Sequence, residues 1–271
     1  HHDGFCMFDT AFTDYSSMHY YGRDYLREVI DAFRVRNFHI GIYYSLPDWH
    51  HPNYVIDARH PLRDFPAERD YAPYTEYLHN QVTELLSNYG KIDIIWFDGS
   101  YPDTKHIWNA SELAAKIKSL QPEILISRLP GFDDFSTPEQ SLPENSNVKC
   151  RWEGCQVING QWGYTTQNVH WRSSEELVKM LVDHVSKGGN MLLNVGPTGR
   201  GTFDPRSSQI LKEIGEWWNL HSRAILGCET APEKFAVPED CRATWNPVTH
   251  RLYIHLFSWQ NRHLRLPGLA G

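Results

Sequence analysis

Short apolar runs alternate with amphipathic segments along most of the chain. Runs of strand length, rich in β-branched and aromatic residues, occur at residues 38–45, 91–98, 123–128 and 190–195. Helical spacing of apolar residues and helix start signals, including a capping box at Ser173-Ser174-Glu175-Glu176, predict helices over residues 23–36, 74–88, 110–120 and 173–187, and from 204 onward. This alternation predicts a parallel sheet with helices outside it, either a barrel or a doubly wound sheet. No glycine-rich nucleotide fingerprint follows a strand, which favours the barrel.

The pattern changes after about residue 225. Residues 243–245 and 251–257 alternate apolar and polar positions, and Asn246-Pro247 lies between them as a turn. We therefore predict an antiparallel hairpin that begins a second, β domain. The predicted boundaries are 1–225 for the α/β domain and 226–271 for the start of the β domain.

Polar side chains follow several of the predicted strands. The apolar run from Lys91 ends in Trp96-Phe97-Asp98-Gly99, and the other strands are predicted to end near Tyr44, Arg128, Glu153 and Asn194. Barrels of this class carry their chemistry at the carboxyl ends of the strands, so these ends are expected on one rim. The alternative role for Asp98 is to cap the loop that follows.

The amino-acid composition argues against some classes of function and favours others. The formal net charge of -7 argues against a nucleic-acid binder, and no apolar run is long enough to cross a membrane. Ten Trp and fourteen Tyr lean mildly toward carbohydrate, because aromatic faces stack on the C–H faces of sugars; the alternative is that they fill the core. The five cysteines have wide spacings and no CxxC pair, which is neither a zinc pattern nor a disulfide scaffold.

Six motifs in order carry a family resemblance. They are His1-His2-Asp3-Gly4-Phe5, Tyr43-Tyr44-Ser45-Leu46-Pro47-Asp48-Trp49-His50, Trp96-Phe97-Asp98-Gly99, Trp152-Glu153-Gly154-Cys155, Trp162-Gly163-Tyr164, and Gly188-Gly189-Asn190 through Asn194-Val195-Gly196-Pro197. As a set they resemble the α-L-fucosidases of glycoside hydrolase family 29. The resemblance implies a (β/α)8-like barrel followed by a β-sandwich, and hydrolysis of terminal α-L-fucosyl groups with retention. The implied substrate is a fucosylated oligosaccharide or glycoconjugate, and the implied compartment is secreted, periplasmic or lysosomal.

The resemblance also assigns roles to residues. Asp98 corresponds to the nucleophile, and the fucose-binding residues correspond to His1, His2, Tyr44, Trp96, Arg128 and Trp162. Glu153 and Glu139 both match positions used for the general acid/base. The alternatives are an ion pair with Arg151 for Glu153, a loop carboxylate for Glu139, and core packing for the aromatic residues. A retaining mechanism needs one ionised and one protonated carboxyl group about 5–5.5 Å apart.

No cofactor is expected. The residues His1, His2, Asp48, His50 and His51 include ligand types that suit zinc, but helical HExxH spacing is absent and retaining glycoside hydrolysis needs no metal.

Members of this family begin about two strand–helix units before the first motif. We therefore expect the chain to be a fragment of a longer enzyme, or to be completed by a second piece, with the barrel incomplete at its start and the β domain truncated. The other functions that the sequence leaves open are a fucose-binding protein without turnover and a barrel glycosidase for another sugar. The oligomeric state is unknown.

Overall fold

The computed structural model describes residues 1–65, 67–99, 108–142, 151–167, 170–259, 263–264 and 266. The chain divides into two compact units, His1–Phe135 and Ser136–Gly271. The predicted domain boundary at residue 225 stays a prediction. Cys150, one of the five cysteines, lies outside the described residues.

The first unit contains parallel strands separated by helices. Its elements are α1 (Ser17–Tyr21), α2 (Tyr25–Arg34), β1 (Gly41–Ser45), α3 (Ala72–Asn88), β2 (Ile94–Asp98), α4 (Ala110–Leu120) and β3 (Leu125–Ser127). The strands pair in the order β1-β2-β3, with Ser45 opposite Asp98 and Trp96 opposite Ser127. The predicted helices and strands of this unit are confirmed, with ends that differ by a few residues.

The core of the first unit lies between this sheet and its helices. Ile42, Ile95, Phe97 and Ile126 from the strands are buried against α3 and α4 residues such as Leu78 and Ile117. Burying a side chain of this size stabilises the fold by about 1.5–3 kcal/mol. The helix α2 departs from its predicted amphipathic role, because Ile30 is buried but Val29 and Phe33 are exposed.

The second unit combines a parallel pair of strands with an antiparallel sheet. Its elements are β4 (Glu153–Val157), α5 (Ser174–Ser186), β5 (Asn190–Asn194), α6 (Pro205–His221), a 3-10 helix (Ser222–Ala224), β6 (Glu229–Thr230), β7 (Cys241–Asn246) and β8 (Arg251–Leu256). The strands β4 and β5 are parallel, and β6, β7 and β8 are antiparallel. The predicted hairpin is therefore confirmed as β7–β8.

Local signals explain where the helices of the second unit begin. Ser173 accepts a hydrogen bond from the N–H of Glu176, whose carboxylate accepts one from the N–H of Ser173, so the predicted capping box forms at α5. At α6, Asp204 caps the first turn and Pro205 occupies the first helical position.

One predicted strand end is wrong. Glu153 begins β4 instead of ending it, because residues 153–157 pair in register with all five residues of β5, Glu153 with Asn190 and Val157 with Asn194. On its other side, Glu153 also pairs with the segment that begins at Ser136, since the N–H of Glu153 donates to the carbonyl of Ser136. The other predicted ends agree to within one residue with the ends of β1, β2, β3 and β5.

Candidate active site

Asp98 is the last residue of β2 and shares one face of the sheet with Tyr43, Ser45 and Trp96. The register places Tyr43 beside Trp96 and Ser45 beside Asp98, and alternate residues of a strand point to the same face. The Asp98 backbone is tied to the next loop, since its carbonyl accepts from the N–H of Leu46 at 2.8 Å. The sheet thus presents the carboxylate at its carboxyl edge.

Both oxygens of the Asp98 carboxylate have partners. The Tyr43 hydroxyl donates to Oδ2 at 2.7 Å, and the N–H of Gly99 donates to Oδ1 at 2.8 Å. An Arg128 Nη lies 3.4 Å from Oδ1, and His2 Nε2 lies 3.7 Å from Oδ2. Tyr43, Gly99 and Arg128 therefore orient the carboxylate, with His2 close to it, and it remains accessible because it is about a quarter exposed.

Gly99 allows the backbone to turn directly after Asp98. Its φ is 79°, a left-handed conformation that residues with a Cβ rarely adopt. A Cβ at Gly99 would lie 2.4 Å from Cδ of Pro47 and 3.2 Å from Cε1 of His2. A glycine is therefore required here both by the turn and by the close approach of two loops.

Planar groups form a column along one side of Asp98. The Arg128 guanidinium lies 4.7 Å from the ring centre of Trp96, Trp96 stacks on Tyr43 at 5.7 Å, and Tyr43 lies 5.8 Å from the ring of His1. Arg128 itself has a left-handed backbone, with a φ of 60°. The column holds the phenol and the guanidinium at Asp98 while presenting aromatic surface beside it.

His2 is held as a hydrogen-bond acceptor facing Asp98. The Ser45 hydroxyl donates its single proton to the carbonyl of Pro47 at 2.6 Å, so it accepts from Nδ1 of His2 at 2.5 Å. Burial lowers the pKa of His2, although Asp98 acts in the opposite direction. In the neutral Nδ1–H tautomer, Nε2 carries a lone pair and acts as a hydrogen-bond acceptor, for example toward a hydroxyl group.

Tyr43 is at the site and Tyr44 is not, contrary to the sequence-based assignment. Tyr44 is buried on the opposite face, where its hydroxyl donates to Oε1 of Gln81 at 2.8 Å and its ring packs edge-on against Phe97. Period-two alternation allows only one of two adjacent tyrosines on each face. The signal that identifies Tyr43 is its position two residues before Ser45, which puts both side chains on one face of β1. The register then places Tyr43 beside Trp96 and Ser45 beside Asp98.

Glu139 and Glu153 share one face of the second unit. Glu139 is bridged to Cys155, and Glu153 precedes Cys155 by two residues, so both side chains project to the same side. Helix α5 covers the other side, since a Cβ at Gly154 would lie 2.2 Å from Nε2 of His184. Burial raises the pKa of Glu153, and no ion pair joins it to Arg151 in the described part of the chain.

Trp162 lies beside the carboxyl end of β5. Its carbonyl accepts a hydrogen bond of 2.6 Å from the side chain of Asn194, and the backbone of Gly163 passes so close to Gly196 that no Cβ fits there. The indole is 41% exposed. Core packing is thus not the role of this tryptophan in the described part of the chain.

The histidines considered as metal ligands have other contacts. Asp48 is buried and accepts hydrogen bonds from the N–H groups of His50 and His51, each at 2.9 Å. His50 stacks on Tyr15, and His51 packs against Tyr77. Across the residues described, no three His, Cys, Asp or Glu side chains are grouped so that they could hold a metal ion.

Two further features concern the described residues only. Cys6, Cys228 and Cys241 are free thiols. No helix in those ranges is long and apolar enough to span a bilayer.

Comparison with known proteins places these residues in a family. The α-L-fucosidase family model matches residues 1–223. Isoenzyme 1 of the α-L-fucosidase from Paenibacillus thiaminolyticus superimposes with a TM-score of 0.83 and 42% identity, covering 91% of this chain and 64% of that one. Human plasma α-L-fucosidase is 28% identical, over 96% of this chain and 57% of its own length.

A third similar structure carries mechanistic information. An α-L-fucosidase from Bacteroides thetaiotaomicron, with a TM-score of 0.79 and 27% identity, covers 95% of this chain and 63% of that one, and it was solved as a trapped covalent intermediate with 2-fluoro-fucosyl fluoride. The chain described here belongs to the α-L-fucosidase family. It spans less than two thirds of the length of each of these relatives.

Proposed function

We propose that this chain forms part of a retaining α-L-fucosidase in which Asp98 is the nucleophile. The observation that carries the proposal is the carboxylate of Asp98, accessible at the end of β2 and oriented by Tyr43, Gly99 and Arg128, with His2 close to it. A nucleophile of this kind must be held at one position while remaining open to the sugar. The trapped intermediate of the similar Bacteroides enzyme supports a covalent route.

In the first step, an oxygen of Asp98 attacks the anomeric carbon of an α-L-fucosyl group. A C–O ester bond forms to the enzyme and the glycosidic C–O bond breaks, while an acid protonates the leaving oxygen. In the second step, the residue that served as the acid now acts as a base. It removes a proton from water, and the water oxygen attacks the anomeric carbon. The ester bond breaks, Asp98 is released, and fucose leaves with its original configuration.

Glu153 is the proposed acid/base, and Glu139 is the alternative. Glu153 has the property that an acid needs, because its burial raises its pKa and so favours the protonated form. Glu139 lies nearer than Glu153 to the carboxyl end of β4, which is where barrels of this class carry their chemistry. It lies level with Cys155, two residues closer than Glu153 to the carboxyl end of β4, and it is exposed.

Fucose recognition is proposed for the face around Asp98. The neutral His2 is suited to accept a hydrogen bond from one sugar hydroxyl, and the guanidinium of Arg128 is suited to donate to others. Trp96 offers an apolar surface for the methyl group that distinguishes fucose from hexoses with a hydroxymethyl group. His1 and Trp162 are proposed as further binding residues, and Tyr43 replaces Tyr44 in this set. The proposed substrates are fucosylated oligosaccharides or glycoconjugates.

For the architecture, we propose a (β/α)8-like barrel followed by a β-sandwich, with the boundary near residue 225. The parallel strands β1–β3 and β4–β5 with intervening helices, and the antiparallel sheet β6–β8, support this arrangement. The end of the family match at residue 223 supports the boundary.

The test is covalent labelling of the full-length enzyme. Incubation with 2-fluoro-fucosyl fluoride should stop turnover of an aryl α-L-fucoside and add one fluorofucosyl group, which peptide mapping should locate at Asp98. An Asp98→Asn variant should not be labelled. Label on another carboxylate would remove Asp98 from this role, and calorimetric binding of fucose without turnover would favour a fucose-binding protein.

A further inference from the structure

An aromatic patch lies on the first unit beside the turn that carries His2. We define the patch by Phe5, Tyr15, Tyr20 and His50. Tyr15 stacks on His50, with ring centres 4.0 Å apart and planes 17° apart, and it meets Phe5 edge-on at 5.1 Å. Tyr20 closes the group, at 6.4 Å from both Phe5 and Tyr15. The rings therefore support each other in fixed orientations.

The patch has an exposed aromatic side chain with polar groups beside it. Tyr20 is 59% exposed, although it is large and apolar. His19 lies edge-on to Tyr20 at 5.1 Å, and its Nδ1 lies 3.7 Å from Oδ1 of Asp14, which is itself almost fully exposed. Aromatic surface next to hydrogen-bonding groups suits a ligand that has both C–H faces and hydroxyl groups.

The patch is continuous with the candidate active site. His50 follows Trp49, whose N–H donates to the carbonyl of His2 at 2.8 Å and whose ring meets the His2 imidazole at 5.1 Å. Phe5 is three residues beyond His2 and directly follows the same turn, which the hydrogen bond from the Gly4 N–H to the His1 carbonyl closes at 3.0 Å. The patch therefore adjoins the loops that place His2 beside Asp98.

We propose that the aromatic patch binds the saccharide to which the fucosyl group is attached. This inference rests on the proposed function, since it assigns the leaving-group side of the same site. The rings of Tyr20 and Phe5 would lie against the C–H face of a pyranose, and His19 and Asp14 would bond its hydroxyls. We favour a saccharide over a peptide because its C–H faces match the exposed rings and its hydroxyl groups match the pair formed by His19 and Asp14.

The experiment compares two substrates of the full-length enzyme, an aryl α-L-fucoside and a fucosyl-lactose. In Tyr20→Ala we expect kcat/KM to fall about tenfold for fucosyl-lactose and to be unchanged for the aryl fucoside, the size that loss of one stacking contact produces. Tyr20→Trp should restore the rate with fucosyl-lactose. The matched control is Phe38→Ala, because Phe38 is 57% exposed and precedes β1 at the end of the sheet opposite Asp98; it should leave both rates unchanged.

The outcomes separate the patch from the proposed function. Equal rates for wild type and Tyr20→Ala on both substrates would overturn the patch and leave the fucosidase assignment standing. An equal loss on both substrates would also overturn it, because that result indicates a distorted active site. If the wild type hydrolyses neither substrate, the proposed function fails. Titration with lactose then decides the patch: binding to wild type that is lost in Tyr20→Ala supports it, and no difference overturns it.

Discussion

The hydroxyl of Tyr43 donates a hydrogen bond of 2.7 Å to Oδ2 of Asp98, while the adjacent Tyr44 points to the opposite face of β1. Tyr43→Phe should lower kcat/KM about 10–100-fold, because a hydrogen bond to a charged group contributes about 1.5–3 kcal/mol. The measurement is steady-state kinetics on an aryl fucoside, together with the melting temperature, which should stay near that of the wild type.

Tyr44→Phe is the matched control for this change. It removes a buried hydroxyl from Gln81, which is itself only 2% exposed, so we expect a loss of about 1–3 kcal/mol in the free energy of unfolding. Turnover by the folded fraction should be close to normal. A larger kinetic effect for Tyr44→Phe than for Tyr43→Phe would show that the face assignment is wrong.

Asp98→Gly should reduce turnover by about 10³–10⁵-fold, since it removes the group that forms the glycosyl ester. Azide added to this variant should occupy the vacated space and give the inverted β-fucosyl azide, which NMR of the product identifies. Near-native turnover in a folded full-length variant would refute the nucleophile assignment.

Glu153→Ala should behave differently from Asp98→Gly. With an activated aryl fucoside the first step still proceeds, and azide should intercept the intermediate and give the α-fucosyl azide with net retention. Glu139→Ala should have a milder effect, and the reverse ranking would assign the acid/base role to Glu139.

The pH profile gives a second measurement on Glu153. Its raised pKa means that the active protonated form is lost as pH rises through that value, so kcat/KM should have a basic limb that Glu153→Gln removes. A basic limb that survives in this variant would show that another group is the acid.

Gly99→Ala should destabilise the first unit and reduce activity. The substitution combines a φ of 79° with a Cβ placed 2.4 Å from Cδ of Pro47, so the cost should exceed the roughly 1–2 kcal/mol of left-handed backbone strain alone. The matched control is Gly131→Ala, where φ is 84° but no atom lies within 4 Å of the added carbon. Equal losses in thermal stability for the two variants would contradict the steric argument.

Stability should decrease on acidification through His255. Burial, with a smaller effect of His221, lowers the pKa of His255 from 6.5 to about 4. Between these values the unfolded chain binds a proton that the folded chain does not, so the free energy of unfolding falls as pH falls through this window. His255→Gln should reduce the slope by up to about 1.4 kcal/mol per pH unit, measured by denaturant titration. An unchanged slope would exclude His255 as a source of acid sensitivity.

Local sequence patterns were sufficient to predict the helices, the strands and the family. The helix α4 was predicted over the residues where it forms, the capping box at Ser173 forms as predicted, and the hairpin β7–β8 lies where the alternation predicts it. These features depend on local propensity, capping and periodicity, which act over a few residues. The six motifs were sufficient to identify the α-L-fucosidase family because their order along the chain is itself sequence information.

Which side chains meet depends on contacts between residues that are far apart along the chain. The choice between Tyr43 and Tyr44 depends on the pairing of β1 with β2, since a shift of one residue moves every side chain to the other face. Glu153 begins β4 because residues 136–140 and β5 form the ladder around it, a non-local pairing that the local pattern does not encode. The tautomer of His2 likewise depends on Ser45 and Pro47, which only the folded chain brings to its ring.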